Sequence, residues 1–287
     1  MTPELEEIVP RELQINTAPV ASYLTRRLAS YITEYAGRRK AIVGLSGGVD
    51  SAVVAYLSAK AVGSENTYLY LLPSSSTPEE DMEDAKAVVE MLRIPEKNCR
   101  LVSIDKHTTE LASSLGKRQD RLTVANIKAR VRMILLHGFA SMLAGLVVGT
   151  GDKSEITIGY FTKFGDGGAD LFPIGDLYKS QVRQIAAEAG LPERIYRKQP
   201  SPALWEGQSA ESELGIDYPT LDRILYRRFD LWRDEESIAA DLEVPLSKIE
   251  RVVEQVRRTQ HKRHPPEIFK LSFRSHGSDW RYPREWG

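Results

Sequence analysis

The sequence predicts an α/β fold: a doubly wound parallel sheet with helices on both faces, followed by a C-terminal helical segment. Three observations carry that expectation. Short apolar runs of strand length alternate with longer helical patterns between residues 17 and 149, a rhythm that makes parallel strands joined by crossover helices. The runs at 41–45 and 146–149 are nearly continuous rather than alternating in polarity, as strands covered on both faces are. After Gly149 the alternation stops, and helical patterns recur at 218–230, 234–242 and 247–261.

Each element follows in order. Residues 17–36 place Val20, Leu24, Leu28, Tyr31, Ile32 and Tyr35 on one helical face, and Arg38, Arg39 and Lys40 suit a helix C-terminus. The strand at 41–45 runs into a tight SGGVDS turn (46–51) and a helix that Gly63 stops. A strand at 67–73 precedes a helix at 78–92, with Thr77 expected as N-cap and Pro78 in its first turn. A strand at 100–104, a short helix at 107–116, a long helix at 124–145 and a strand at 146–149 complete the alternation. The glycine-rich stretch 149–170 reads as an ordered loop, 178–189 as a helix ended by Gly190, and 197–217 as a mobile loop. The basic, aromatic end of the chain reads as an extended tail packed on the body. The expected organisation is a single domain over 1–287: an α/β core at 17–195, the loop at 196–217, and C-terminal helices with the tail at 218–287.

Composition limits what the chain does. At 287 residues it lies near the size, about 250–300 residues, where single cores divide. With 41% hydrophobic and 28% charged residues it is not a disordered chain. Lys and Arg number 39 against 40 Asp and Glu, a net charge of −1, so nothing global points to nucleic acid or a membrane surface. Any anionic ligand must be held by local charge and backbone. Cys99 is the one cysteine, which excludes an internal disulfide framework and a thiolate zinc cluster. Four glutamates and no apolar run in the first 13 residues argue against a signal peptide. Residues 133–151 carry no formal charge, but His137, Ser141 and four glycines interrupt them, so they read as buried helix and strand rather than a span. A cytoplasmic protein is expected.

Chemistry concentrates at Ser46-Gly47-Gly48-Val49-Asp50-Ser51, between a buried strand and a helix. Paired glycines let the backbone turn sharply and present N–H groups, and the helix N-terminus favours anions. Ser46 and Ser51 add hydroxyls on either side. An aspartate in such a turn repels phosphate unless a cation lies between them, so Asp50 implies Mg²⁺. The turn therefore suits pyrophosphate with magnesium. It is not a Walker loop, since GxxxxGK[ST] is absent, and it lacks the GxGxxG spacing of a dinucleotide fold.

Strand-SGGVDS-helix resembles the signature of the N-type ATP pyrophosphatases, which cleave ATP to AMP and pyrophosphate to activate an oxygen. A second segment narrows the likeness. Gly149-Thr150, Glu155 and the run Phe161-Thr162-Lys163-Phe164-Gly165-Asp166-Gly167-Gly168-Ala169-Asp170 are similar to the ammonia-dependent NAD synthetases, as are Lys179, ELGI at 213–216 and His261-Lys262-Arg263. The resemblance covers roughly residues 20–270. It implies an adenine nucleotide α-hydrolase-like fold and the ATP-dependent amidation of deamido-NAD by ammonia, through an adenylated carboxylate, to give NAD, AMP and pyrophosphate.

Carried over by position, Gly44, Leu45, Ser46, Gly47, Gly48, Val49, Asp50 and Ser51 hold ATP, joined by Thr150, Lys179 and Ser201. The same resemblance implies that Asp50 and Glu155 bind magnesium and that Arg130, Lys163, Asp170, His261 and Lys262 bind deamido-NAD. Asp50, Lys179 and Asp166 are the expected catalytic groups, Asp166 or Asp170 favouring ammonium entry and deprotonation. Tyr160, Phe161 and Phe164 are equally placed to stack on a ligand ring or to fill the core. The run GTGDKSE differs from that of many bacterial members but keeps the Thr and Glu spacing, and Ser201 stands where Thr is common. The phosphate loop begins after 45 residues, which leaves no room for an amidase domain before it. Free ammonia is the expected nitrogen source, unless a separate subunit delivers it. The resemblance also implies a homodimer with deamido-NAD near the subunit interface. A tRNA thiolase needs a cysteine pair and a basic surface that are missing, and a non-catalytic nucleotide sensor needs neither Glu155 nor the FTKFGDGGAD run.

Overall fold

The computed structural model describes residues 8–116, 119–201, 203–205 and 207–275. In chain order the first half runs α1 (Thr17–Ser30), β1 (Ala41–Gly44), α2 (Val49–Val62), β2 (Thr67–Leu71), α3 (Glu79–Met91), β3 (Cys99–Leu101), α4 (Asp105–Ser114), α5 (Arg121–Leu143) and β4 (Leu146–Val147). The second half is helical: α6 (Lys153–Ile158), α7 (Lys179–Glu188), α8 (Glu193–Arg197), α9 (Ala210–Leu214), α10 (Tyr218–Leu225), α11 (Glu235–Leu242), α12 (Leu246–Arg258) and α13 (Gln260–Arg263).

The four strands form one parallel sheet in the order β3-β2-β1-β4, with Ala41 in register with Thr67 and Leu146. The chain winds outward from β1 to β3 and then returns to the other side of β1. Winding therefore reverses between β1 and β4, and a crevice opens beyond their C-terminal ends. Open parallel sheets bind ligands at such a reversal.

The side-chain period of two sorts each strand between two layers. Ala41, Val43, Leu69 and Leu71 enter one core with Leu28, Val53, Leu57, Val88, Val182 and Ile185, so α1, α2, α3 and α7 cover that face. Ile42, Tyr70 and Val147 enter the opposite core with Ile104, Ile127, Val131 and Ala140, beneath α4 and α5. A third core joins α10, α11 and α12 through Leu221, Ile224, Ile238, Ile249 and Val252 to Ile158 and Tyr178. The C-terminal helices are thereby tied to the two segments that carry Glu155 and Lys179.

Local chemistry sets the boundaries. Asp120 caps α5 by accepting from Thr123 N–H at 2.6 Å, and Asp152 caps α6 by accepting from Glu155 N–H at 2.8 Å. The chain differs from the sequence expectation in several places. Helix α3 starts at Glu79, with Pro78 in the extended conformation as its N-cap. Thr77 does not cap it; its hydroxyl accepts from Ser74 N–H at 3.0 Å and closes the preceding turn. The stretch read as a plain loop after Gly149 contains α6, and the loop at 197–217 contains α9. The helical patterns at 17–36 and 218–230 each end in a π-helical turn, Tyr31–Tyr35 and Tyr226–Asp230, and Tyr35 is exposed rather than facing the core. Ile268, Phe269, Leu271 and Phe273 of the tail are exposed rather than packed on the body.

Candidate active site

Gly47 has φ +88°, and a Cβ there would lie 2.1 Å from Asp81 O, so the turn closes against the first turn of α3 only with glycine. The two serines brace the turn from inside. Ser51 Oγ accepts from Ser46 N–H at 3.2 Å and donates to Gly48 O at 2.9 Å, and the two hydroxyls lie 3.1 Å apart. Their role is therefore to hold the loop shape, with the first N–H groups of α2 left for a ligand as at any helix start.

Facing this turn is a lysine inside three carboxylates. Lys179 Nζ lies 2.6 Å from Asp50 Oδ2, 2.9 Å from Asp152 Oδ2 and 2.8 Å from Glu155 Oε1. Asp50 comes from the start of α2, Asp152 and Glu155 from the cap and first turn of α6, and Lys179 from the first residue of α7. Burial works to lower the pKa of Lys179, but Asp152, Asp50 and Glu155 outweigh it, and the ammonium is held well above its usual range. Burial pushes Glu155 well up and Asp152 to about 7, with Lys179 opposing and the neighbouring carboxylates reinforcing both shifts. One oxygen from each acid lies within 4.8 Å of the others, and Asp50 Oδ1 is buried with no hydrogen-bond partner. Hard oxygen ligands at that separation, one of them unsatisfied, fit a magnesium ion.

Gly44, Leu45, Ser46, Gly48, Val49, Asp50, Ser51 and Glu155 line a cavity of about 580 Å³ at the C-terminal ends of β1 and β4, while Gly47, Asp152 and Lys179, expected or found beside it, lie behind that lining. Small-molecule sites run from about 300 to 1,000 Å³, so the space suits a nucleotide. Thr150 and Ser201 both line it. Helix α5 forms one wall with Asn126, Ala129, Arg132 and Met133. The FTKFGDGGAD loop is pinned to that wall: Thr162 Oγ1 donates to Asn126 Oδ1 at 2.8 Å, and Asp166 Oδ1 accepts from Thr162 N–H at 2.9 Å. Burial of its carboxyl raises the pKa of Asp166, which lines the cavity although much of the residue is exposed. Lys198 to Ser201 and Ala203 to Trp205 also line the cavity. Lys128 Nζ donates to Leu204 O at 2.8 Å and Ser76 Oγ at 2.9 Å, and Ser76 Oγ donates to Ala203 O at 3.0 Å. The Arg121 guanidinium lies 4.6 Å from the Trp205 ring centre.

The remaining candidates divide. Lys262 lines the cavity, with Nζ donating to Gly159 O and Phe161 O at 2.7 Å each. Arg130, Lys163, Asp170 and His261 are not part of the cavity lining. Arg130, Lys163 and His261 form a surface group: Arg130 Nη2 donates to Lys163 O at 3.3 Å, and Lys163 Nζ donates to His261 O at 2.6 Å. Asp170 accepts from Val147 N–H at 2.7 Å, extending the edge of the sheet. Phe161 lines the cavity and Phe164 is exposed.

Sequence reasoning missed Asp152, Arg132, Lys128 and Trp205. Asp152 was detectable, because Asp-x-x-Glu at 152–155 is a helix-capping pattern that places both carboxylates at one N-terminus. Arg132 is two residues beyond Arg130, so helical periodicity alone puts the pair on different faces. Deciding which face meets the cavity needed the sheet.

Comparison with known proteins agrees with this geometry. The family model described as NAD synthase matches residues 20–266. The NH(3)-dependent NAD(+) synthetase of Sulfolobus acidocaldarius is 49% identical over 98% of this chain and 100% of its own length. That of Pyrococcus horikoshii is 45% identical over 84% of this chain and 91% of its own. Among solved structures, an NMN synthetase from Francisella tularensis superposes with a TM-score of 0.79 at 31% identity, covering 90% of this chain and 100% of that one. An NH3-dependent NAD synthetase from Campylobacter jejuni shares the fold at 24% identity, with a TM-score of 0.75 over 90% of this chain and 100% of that one.

Proposed function

The chain belongs to the NAD synthase family, and we infer from that premise and from its cavity how it works. It is a ligase that amidates deamido-NAD with ammonia, using ATP as co-substrate, to give NAD. The observation that carries the reading is that the glycine-serine turn lines the cavity together with Glu155, and that its Asp50 shares the Lys179 ammonium with Asp152 and Glu155 just behind that lining. The turn presents backbone N–H groups to phosphates, and the cluster that begins at its Asp50 holds paired positive and negative charge beside them.

The reaction brings a carboxylate to the α-phosphorus of ATP, two groups of like charge. Positioning and charge neutralisation therefore account for most of the catalysis. Asp50 and Glu155, with Asp152 as a third oxygen donor, would hold Mg²⁺, which when bound neutralises the pyrophosphate. Residues 44–51 hold the triphosphate, Thr150 and Ser201 contact the nucleotide, and Lys179 supplies a cation that stays charged at working pH. The adenylated carboxylate loses AMP to ammonia. Asp166 lines the cavity from within the FTKFGDGGAD loop with a raised pKa, which suits a group that takes a proton from ammonium.

Arg130, Lys163, Asp170 and His261 outside the cavity, with Lys262 at its rim, would bind the dinucleotide across a surface that a second copy completes, in keeping with a homodimer. Free ammonia is the nitrogen source in this reading. Cytoplasmic location is part of it too, and no helix among the described residues is long and apolar enough to cross a membrane. The test mixes the chain with ATP, Mg²⁺, ammonium and deamido-NAD and follows NAD, AMP and pyrophosphate. Equal yields of the three, with none when glutamine replaces ammonium, support the reading. ADP as product, or AMP release without deamido-NAD, overturns it. The mononucleotide acid belongs in a parallel assay because of the NMN synthetase neighbour, and a preference for it would revise the substrate.

A further inference from the structure

Asp222 lies in α10, and its carboxyl is not part of the cavity lining. It is wholly buried, as are Ser154 and Ser180. Ser154 Oγ donates to Asp222 Oδ1 at 2.5 Å, while Ser180 N–H and Oγ donate to Oδ2 at 2.8 and 2.6 Å. Ser154 Oγ in turn accepts from Lys179 N–H at 2.9 Å. One carboxylate thus gathers the first turn of α6, between Asp152 and Glu155, and the first turn of α7, beside Lys179. It lies at the start of α7, where a negative charge offsets the unfavourable placement of Lys179 at a positive helix end.

A carboxylate is a costly way merely to anchor a helix, since apolar packing does so without desolvating a charge. Its two oxygens accept from two hydroxyls and one backbone N–H, a pattern that an apolar side chain cannot replace. The arrangement is that of an outer partner that orients groups it does not touch. We propose that Asp222 is a positioning residue for the Asp50–Asp152–Glu155–Lys179 cluster, fixing through Ser154 and Ser180 the spacing at which the carboxylates of α6 meet the ammonium of α7. The inference rests on the proposed magnesium and ATP site.

The test compares Asp222→Asn with Ile224→Val, a cavity-forming change at another buried position of α10 that shares the apolar core with α6 and α7 but makes none of these hydrogen bonds. Ser154→Ala removes the hydroxyl that joins Asp222 Oδ1 to Lys179 N–H and leaves the Ser180 contacts in place. Mn²⁺ binding is measured by electron paramagnetic resonance with a non-hydrolysable ATP analogue, beside the Mg²⁺ dependence of NAD formation and the melting temperature. Outer partners of metal ligands typically change affinity by about 10–100-fold, so Asp222→Asn should weaken Mn²⁺ binding by at least about tenfold. Ser154→Ala should weaken it in the same direction, and Ile224→Val should leave it within about twofold while still lowering the melting temperature. Unchanged Mn²⁺ binding in folded Asp222→Asn, or an equal loss in Ile224→Val, overturns the proposal. If the unaltered chain shows no nucleotide-dependent Mn²⁺ binding, the underlying site assignment fails instead.

Discussion

Lys179 Nζ lies 2.9 Å from Asp152 Oδ2, and both side chains are fully out of solvent. Asp50 and Glu155 complete the ring around the same ammonium. Three acids held this close are stable because a cation separates them. Removing one partner of a buried ion pair leaves uncompensated charge, which costs about 3–5 kcal/mol.

Lys179→Met should therefore lose amidation and unfold at a markedly lower temperature. The same variant should regain part of that loss when Mg²⁺ is added without nucleotide, because the metal replaces the missing charge. Thermal melts with and without Mg²⁺ measure both effects. A variant melting within a degree of the unaltered chain would show that the cluster carries no such strain.

Part of the cavity lining, Ala203, Leu204 and Trp205, is held by two basic side chains of α5. Lys128 reaches Leu204 O and Ser76, and Trp205 lies over Arg121. Lys128→Met removes the hydrogen bonds to the Leu204 carbonyl and Ser76, and Trp205→Ala removes the ring contact. Both should raise KM for ATP about tenfold or more with a smaller change in that for deamido-NAD, since segments that close over a site act on the ligand they cover. Equal increases in both KM values would place this segment outside nucleotide binding.

Acid should loosen the same region through Asp105. Its carboxylate accepts from Ser75 N–H at 2.9 Å, next to Ser76, and that bond is the main reason its pKa lies below the usual 3.8. A lowered folded-state pKa means that the stabilisation is complete above the unfolded value and fades as pH falls through the folded one. Asp105→Asn should thus be less stable than the unaltered chain by a constant amount from pH 8 to about 4.5, with the gap closing below about pH 4. Urea unfolding at stepped pH reads the gap directly, and a gap that persists undiminished at pH 2.5 would exclude this contact as its source.

Much of the architecture is legible in the chain because it follows from local pattern. Ala41, Ile42 and Val43 announce a strand buried on both faces, and SGGVDS announces the turn after it. What pattern could not supply was register between distant elements. Arg130 and Arg132 look alike in sequence, and the packing of α5 on the sheet decides that Arg132 lines the cavity and Arg130 does not. Asp152 escaped notice because its capping role and its place in the cluster are separate facts until α7 brings Lys179 to it. Pro78 fits the first turn of a helix or the position before it, and here Thr77 closes the turn to Ser74, which leaves Pro78 as the cap.

Gly47 offers the sharpest test of the phosphate turn itself. Its φ of +88° lies where L side chains are strained, and a Cβ would meet Asp81 O at 2.1 Å, well inside contact distance. A backbone carbonyl near the start of α3 cannot swing aside as a long side chain does. Gly47→Ala must either push α3 away or flip the turn, and either movement displaces the first N–H groups of α2. The strained conformation alone costs about 1–3 kcal/mol. By contrast, Gly190 also has positive φ (+73°) but has nothing within 4 Å of the added atom, so Gly190→Ala carries strain without collision. The expected outcome is loss of ATP binding in Gly47→Ala and near-normal ATP binding in Gly190→Ala, with both chains folded by circular dichroism. Calorimetric titration of ATP with Mg²⁺ distinguishes them. Normal affinity in folded Gly47→Ala would mean that the nucleotide does not depend on this turn.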